Sequence, residues 1–363
     1  MARIPDDRWR SRPLLSAGLR LFVFVAPIAS AALTSALTAR AVNGSTAVGP
    51  LALRWAIVIV GSTTVLILAD RFARRLLPLA VLLRLDLAFP GDAPSRVTVA
   101  RAAANLPELE ERVRIARTAG FDDDPGSAAE MMLSLVAAVE AHDRATRGHA
   151  ERVRVYTDLL AEELNVYPAD RDRLRWAALL HDVGKLEVPV SVLNKPGPLD
   201  PRELEIVRRH PEEGARLTNP LHVWLGEWAA AITEHHERFD GRGYPRGASG
   251  SDISLGARII AVADCYETMT AARPYHKPKT TAEARRELVR CAGTQFDPAV
   301  VHAFLEVPVR RLRLVIGPAT LVAHTPVLRG LDRLGAMVGR VASAAAVAGG
   351  ALAVSIASVT IHR

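Results

Sequence analysis

The chain has 363 residues, enough for more than one domain, and its hydrophobic content of 49% outweighs the 23% that is charged. A formal charge of +7 with a sequence pI near 9.9 would suit a polyanion partner. However, only four residues are lysine, the arginines are spread along the chain, and no basic run interleaves with aromatics, so no nucleic-acid-binding module is expected. Two cysteines, Cys265 and Cys291, exclude a disulfide scaffold and read as small core residues.

The apolar excess lies at the ends. Residues 1–20 form a basic N-terminus, and Leu21–Ala39 carries no charge and approaches the roughly 20 residues that a bilayer core requires. A second span runs from Pro50 to Ala69, with Arg54 able to snorkel. Arg8, Arg10, Arg12 and Arg20 precede the first span and Arg71, Arg74 and Arg75 follow the second, which puts both flanks on the cytoplasmic side of a bacterial inner membrane. A cleaved signal peptide is the other reading of the first span.

Residues 71–125 join membrane to domain. Leu76–Leu87 is expected to lie along the interface as an amphipathic piece, and Ala100–Arg117 to form a helix that either pairs with a second subunit in a homodimer or stays solvated. Asp122-Asp123-Asp124-Pro125-Gly126 marks a break. From 126 to 310 the periodicity is helical. Met131, Met132, Leu133, Leu135, Val136 and Val139 share one face, as do Val153, Tyr156, Leu159, Leu160 and Leu164. Asp200-Pro201-Arg202-Glu203 reads as a capped helix start, and Thr281-Ala282-Glu283 opens another helix, closed by Gly293. Strand patterns are scarce, so the fold class is all-α, a helical bundle whose core presents ligands from facing helices. Residues 311–340 are a linker. Val341–Ile361, preceded by Arg329, Arg333 and Arg340, is an Ala/Gly/Ser/Val run read as a third transmembrane helix over the alternative of a packed one.

Chemistry concentrates in His181-Asp182-Val183-Gly184-Lys185 and in His235-His236-Glu237-Arg238-Phe239-Asp240-Gly241-Arg242-Gly243-Tyr244-Pro245. Imidazole nitrogen with carboxylate oxygen suits first-row transition metals rather than calcium. On a helix, adjacent side chains point about 100° apart. His181 and Asp182 therefore chelate one ion poorly, whereas a carboxylate that bridges two ions beside a neighbour that binds one fits well. Further candidate ligands are His149, His210 and Asp264. Asp240 is read either as hydrogen-bonded behind a ligand histidine or as a turn residue before glycine.

This ordered series resembles the HD-GYP family of metal-dependent phosphohydrolases, whose characterised members hydrolyse cyclic di-GMP. The resemblance covers about Ser127–Phe304 and includes Val192–Leu199, His210-Pro211-Glu212-Glu213-Gly214, Gly243-Tyr244-Pro245, Arg273-Pro274-Tyr275 and Gln295-Phe296-Asp297-Pro298. It implies metal ligands at His149, His181, Asp182, His210, His235, His236 and Asp264, with Asp182 bridging. It also implies Lys185 near the scissile phosphate, and Arg273, Lys277 and Tyr244 toward substrate. Ala145 stands where some members carry a third-metal glutamate, so two divalent ions such as Fe or Mn are expected. His276 and Lys277 follow Tyr275 where the family has a basic residue. The implied activity is phosphodiester hydrolysis by metal-activated hydroxide attack on phosphorus. The alternatives are another nucleotide or phosphate ester as substrate, or a non-catalytic nucleotide-binding or scaffold signalling protein.

Overall fold

The computed structural model of the chain describes residues 9–43, 51–74, 76–83, 85–89, 93–104, 111, 114, 125–142, 148–271 and 277–316. Among them the secondary structure is helical, with no strand and a lone bridge between Ala292 and Phe296. The N-terminal helices are α1 (Pro13–Asn43), α2 (Leu51–Arg74), α3 (Leu77–Leu82) and α4 (Arg96–Ala104). Then come α5 (Pro125–His142), α6 (His149–Glu163), α7 (Pro168–Leu180), α8 (Pro201–Arg208), α9 (His210–Thr218), α10 (Ala230–Glu234), α11 (Leu255–Thr270), α12 (Thr281–Arg290) and α13 (Pro298–Glu306). Residues Met1–Val307 make one unit; a second starts at Pro308, and its described part is α14 (Val309–Ile316). The third apolar run, Val341–Ile361, lies outside the described residues.

Helices α1 and α2 pack on each other as a hairpin and are long and apolar enough to cross a bilayer by length and composition. Their outward faces carry leucines and phenylalanines such as Leu21, Phe24 and Phe72, each more than half exposed, a surface that water alone would penalise.

The segment after the hairpin departs from the expectation of an interfacial strip. Leu82, Leu85 and Leu87 are buried in protein. Phe89 sits between Trp9, tilted to it at 4.9 Å, and Trp176, edge-on at 5.4 Å, and the Trp176 indole donates to the Ala88 carbonyl at 2.7 Å. Arg96 donates to the carbonyls of Arg10 and Leu85. Residues around 85–89 are thus strapped onto α7 instead of forming a free linker. Contacts between residues so far apart in sequence leave no local pattern to read.

The core follows the helical stripes. Met132, Leu133, Leu135, Val136 and Val139 of α5 and Val153, Tyr156, Leu159 and Leu160 of α6 are buried, while Leu164 ends its stripe half-buried. Tyr156 meets Tyr266 of α11 edge-on at 5.0 Å. The helix starts are explicit. Asp200 and Glu203 form a capping box on α8 with Pro201 in its first turn. Thr280, one residue before the expected start, caps α12 with Glu283, and Gly293 follows it in a left-handed conformation.

Candidate metal centre

Helix α7 ends in the apolar, fully buried run Trp176-Ala177-Ala178-Leu179-Leu180, and burying that run carries His181 and Asp182 into the interior. The chain then tightens into a 3-10 turn, Val183–Glu187, that lies against the start of α9. A Cβ on Gly184 would fall 1.9 Å from the His210 carbonyl oxygen, so only glycine lets the turn carrying Asp182 come this close to His210. Similarly, a Cβ on Gly243 would strike the backbone of Glu237 and Arg238, so the Gly-Tyr-Pro loop can fold back onto His235-His236.

The structure brings all seven sequence-derived ligands together. They form two clusters around Asp182, His149-His181-Asp182 on one side and His210-His235-His236 on the other, each with donor atoms within 4.8 Å of one another. Asp182 Oδ2 lies 3.6 Å from His149 Nε2 and 3.4 Å from His181 Nε2. Its other oxygen, Oδ1, lies 3.4 Å from His210 Nε2. Asp264 reaches in from α11, with Oδ1 3.3 Å from His149 Nε2.

Hydrogen bonds on the far side of each ring fix which nitrogen faces inward. The Nδ1 atoms of His181, His210 and His235 lie 2.7–2.8 Å from the carbonyls of Ala178, Val207 and Ile232, three residues earlier in each case. A carbonyl can only accept, so Nδ1 carries the proton and Nε2 presents a bare lone pair to the centre. His149 is held differently. Its Nδ1 donates to Glu267 at 2.6 Å, and Glu267 in turn accepts from Arg152 Nε at 2.7 Å. A carboxylate behind a histidine is the arrangement that orients metal-binding imidazoles and raises their basicity. Glu267 is buried and was not singled out in the sequence. Its signal was its place one helical turn after Asp264, on the same face of α11.

The donor set fits divalent transition cations. It offers bare imidazole nitrogens and carboxylates, and the buried Nε2 of His181 has no hydrogen-bond partner, a deficit that a cation removes. The electrostatics agree. Burial pushes Asp182 upward, but Lys185 and the surrounding histidines outweigh it and hold its carboxyl well below the usual range. Burial pulls His210 down to about 3 and drives His235 and His236 downward as well. His149 is the exception, because its hydrogen bonds to Asp264 and Glu267 overcome burial and lift it to about 9.

The remaining expected residues divide. Lys185 Nζ donates to Asp182 Oδ2 at 2.7 Å, at the centre itself. The Tyr244 ring stacks on His236, centroids 4.9 Å apart and 29° from parallel. Lys277 is exposed, and its charge is felt by Glu283 at the start of α12. Arg273, Tyr275 and His276 lie outside the described residues. Asp240 corrects one expectation: it accepts from the Arg238 guanidinium and the Arg242 amide, so it is the turn residue, and the acid behind a ligand histidine is Glu267.

With this geometry in hand, the comparisons are direct. A family model described as HD domain matches residues 134–300, which contain all seven candidate ligands. The chain carries an HD domain over these residues. It is 39% identical over 178 residues to the 3'3'-cGAMP-specific phosphodiesterase 2 of Vibrio cholerae, covering 49% of this chain and 34% of that one. It is 39% identical over 168 residues to a cyclic di-GMP phosphodiesterase of Thermotoga maritima, covering 46% of each. It is also 43% identical over 162 residues to the V. cholerae 3'3'-cGAMP-specific phosphodiesterase 3, covering 44% of this chain and 35% of that one. The chain therefore spans between a third and a half of the length of these relatives. The HD domain match lies outside the N-terminal hairpin.

Proposed function

We propose that the chain is a membrane-anchored, metal-dependent phosphodiesterase that cleaves cyclic di-GMP or a related cyclic dinucleotide. The observation that carries this reading is Asp182, one carboxylate whose two oxygens face two separate ligand clusters. A pair of divalent cations of the Fe or Mn kind supplies, when bound, Lewis acidity that lowers the pKa of water and neutralises phosphoryl charge. His149, His181 and Asp264 would hold one cation, and His210, His235 and His236 the other, with Asp182 shared.

The chain's own side chains do the rest. Lys185, which rests against Asp182, supplies a compact positive charge beside the reacting phosphate. Arg273, whose planar fork suits two phosphate oxygens, and Lys277 are further phosphate contacts in this reading. Glu267 holds His149 in one tautomer, and the backbone carbonyls hold His181, His210 and His235, so the centre is organised before substrate arrives. The substrate class follows from the relatives' names, which are those of cyclic dinucleotide phosphodiesterases. The arginine-flanked, apolar hairpin supports a membrane anchor with the HD-GYP domain on the cytoplasmic side, where such a nucleotide would be met.

The test uses the full chain purified in detergent, with its metal content measured and a panel of cyclic di-GMP, 3'3'-cGAMP, cyclic di-AMP and linear phosphate esters supplied. About two transition-metal ions per chain and cleavage of cyclic di-GMP are expected. Hydrolysis restricted to linear esters would overturn the substrate, and a protein that binds no transition metal would overturn the reading as a whole.

A further inference from the structure

Several arginines lie near the candidate ligands in sequence, and four of them are engaged with carboxylates. Arg209 pairs with Glu205, Arg216 with Glu213, Arg238 with Asp240 and Arg246 with Glu234. Arg208 is different. It is exposed, ends α8 two residues before His210, and has no carboxylate partner among the described residues. Its guanidinium lies over the Tyr244 ring instead, with Cζ 5.4 Å from the centroid. Since Tyr244 stacks on His236, the phenol ring links a candidate ligand imidazole to this cation.

This arrangement constrains what it can bind. A guanidinium held over an aromatic ring keeps its charge and its N–H donors, because the ring positions it without neutralising it. Those donors match the paired oxygens of a phosphate. A cyclic dinucleotide carries two phosphodiesters in one small ring, so when one lies at the His/Asp centre the other must lie close by. We propose that Arg208, seated on Tyr244, grips the second, non-reacting phosphate of a cyclic dinucleotide. This rests on the phosphodiesterase reading above and adds to it a specificity-determining residue that selects two-phosphate substrates over single phosphodiesters.

The experiment compares metal-loaded full chain with Arg208→Met, which keeps the stem and removes the charge, and with Arg208→Lys, which keeps the charge and removes the fork. Steady-state kinetics are measured on cyclic di-GMP, cyclic di-AMP and bis(p-nitrophenyl) phosphate, which has a single phosphate, and bound metal is assayed in each preparation. For Arg208→Met, KM for both cyclic dinucleotides is expected to rise about 10- to 100-fold, the effect of one lost charge-assisted hydrogen bond. The expected kcat stays within about threefold, metal content is unchanged, and hydrolysis of bis(p-nitrophenyl) phosphate is unaffected; Arg208→Lys recovers part of the lost affinity. An equal loss on all three substrates, or a fall in bound metal in both variants, would show a merely structural role and overturn the proposal. A loss confined to cyclic di-GMP would make Arg208 a guanine reader and overturn it too. If the unmutated chain cleaves bis(p-nitrophenyl) phosphate but neither cyclic dinucleotide, the underlying substrate reading has failed, an outcome distinct from failure at Arg208.

Discussion

On one side of Asp182, His149 lies between two carboxylates, with Asp264 at its inner nitrogen and Glu267 at its outer one. On the other, the outer nitrogens of His210 and His235 lean on backbone carbonyls and the inner ones face one another, Nε2 to Nε2, at 3.2 Å. On the first side the hydrogen bonds to Asp264 and Glu267 outweigh burial and lift His149 to about 9; on the second, burial outweighs Asp182 and the backbone carbonyl, and His210 falls to about 3. The two half-sites are therefore unequal hosts. Around neutral pH a cation entering the His149 side must displace a proton, whereas the all-imidazole side is already deprotonated. What the first side gains is negative charge, since it offers Asp264 as well as the shared Asp182.

The comparison breaks most completely if its shared member is removed. Asp182→Asn keeps the shape of the side chain and deletes the charge common to both halves. It is expected to lose both cations and to lower phosphodiesterase activity by about 10³-fold or more, the scale set when a preorganised electrostatic group is lost. Metal analysis beside turnover on cyclic di-GMP checks this. Loss of metal with undiminished turnover would separate the cations from the chemistry.

Glu267→Gln divides the halves. An amide oxygen still accepts from His149 but carries no charge, so affinity on the His149 side should fall about 10- to 100-fold, as for other carboxylates lying behind ligand histidines. The His210 side should be unchanged. Titration of metal-stripped protein would then show one weakened site and one intact site, whereas uniform weakening would mean that the halves do not act separately.

A smaller effect is expected in the pH dependence of stability without metal. The folded pKa of His149 lies above the ordinary 6.5, so its contribution is complete below about pH 6.5 and fades as pH climbs through about 9. The folded pKa of His210 lies below 6.5, so its contribution is present above about pH 6.5 and fades as pH falls toward about 3. The melting temperature of metal-stripped full chain should therefore be highest near neutrality and fall on both sides. Glu267→Gln should shift the alkaline limb toward lower pH and leave the acid limb in place.

The same contrast shows what the sequence revealed. The seven candidate ligands were legible because their motifs resemble those of a known family, and the capped helix starts at Asp200 and Thr280 follow local rules. The turn at Gly184 was visible as a residue, but its reason, the close approach of the His210 carbonyl, belongs to packing. Glu267 was passed over because a glutamate within a helix is ordinarily a solvated side chain, and only burial against His149 gives it another meaning. The end of Leu76–Leu87 was expected at the interface because its leucines suit a lipid surface and a protein groove equally well, whereas Leu82, Leu85 and Leu87 are buried in protein. Trp9 and Trp176, which settle the matter, are distant in sequence.

The most direct test is anomalous diffraction from crystals of the full chain loaded with manganese or iron. Two peaks are predicted, one bounded by His149, His181 and Asp264 and the other by His210, His235 and His236, with an oxygen of Asp182 bonded to each. A single peak, or a pair that does not share Asp182, would contradict the account.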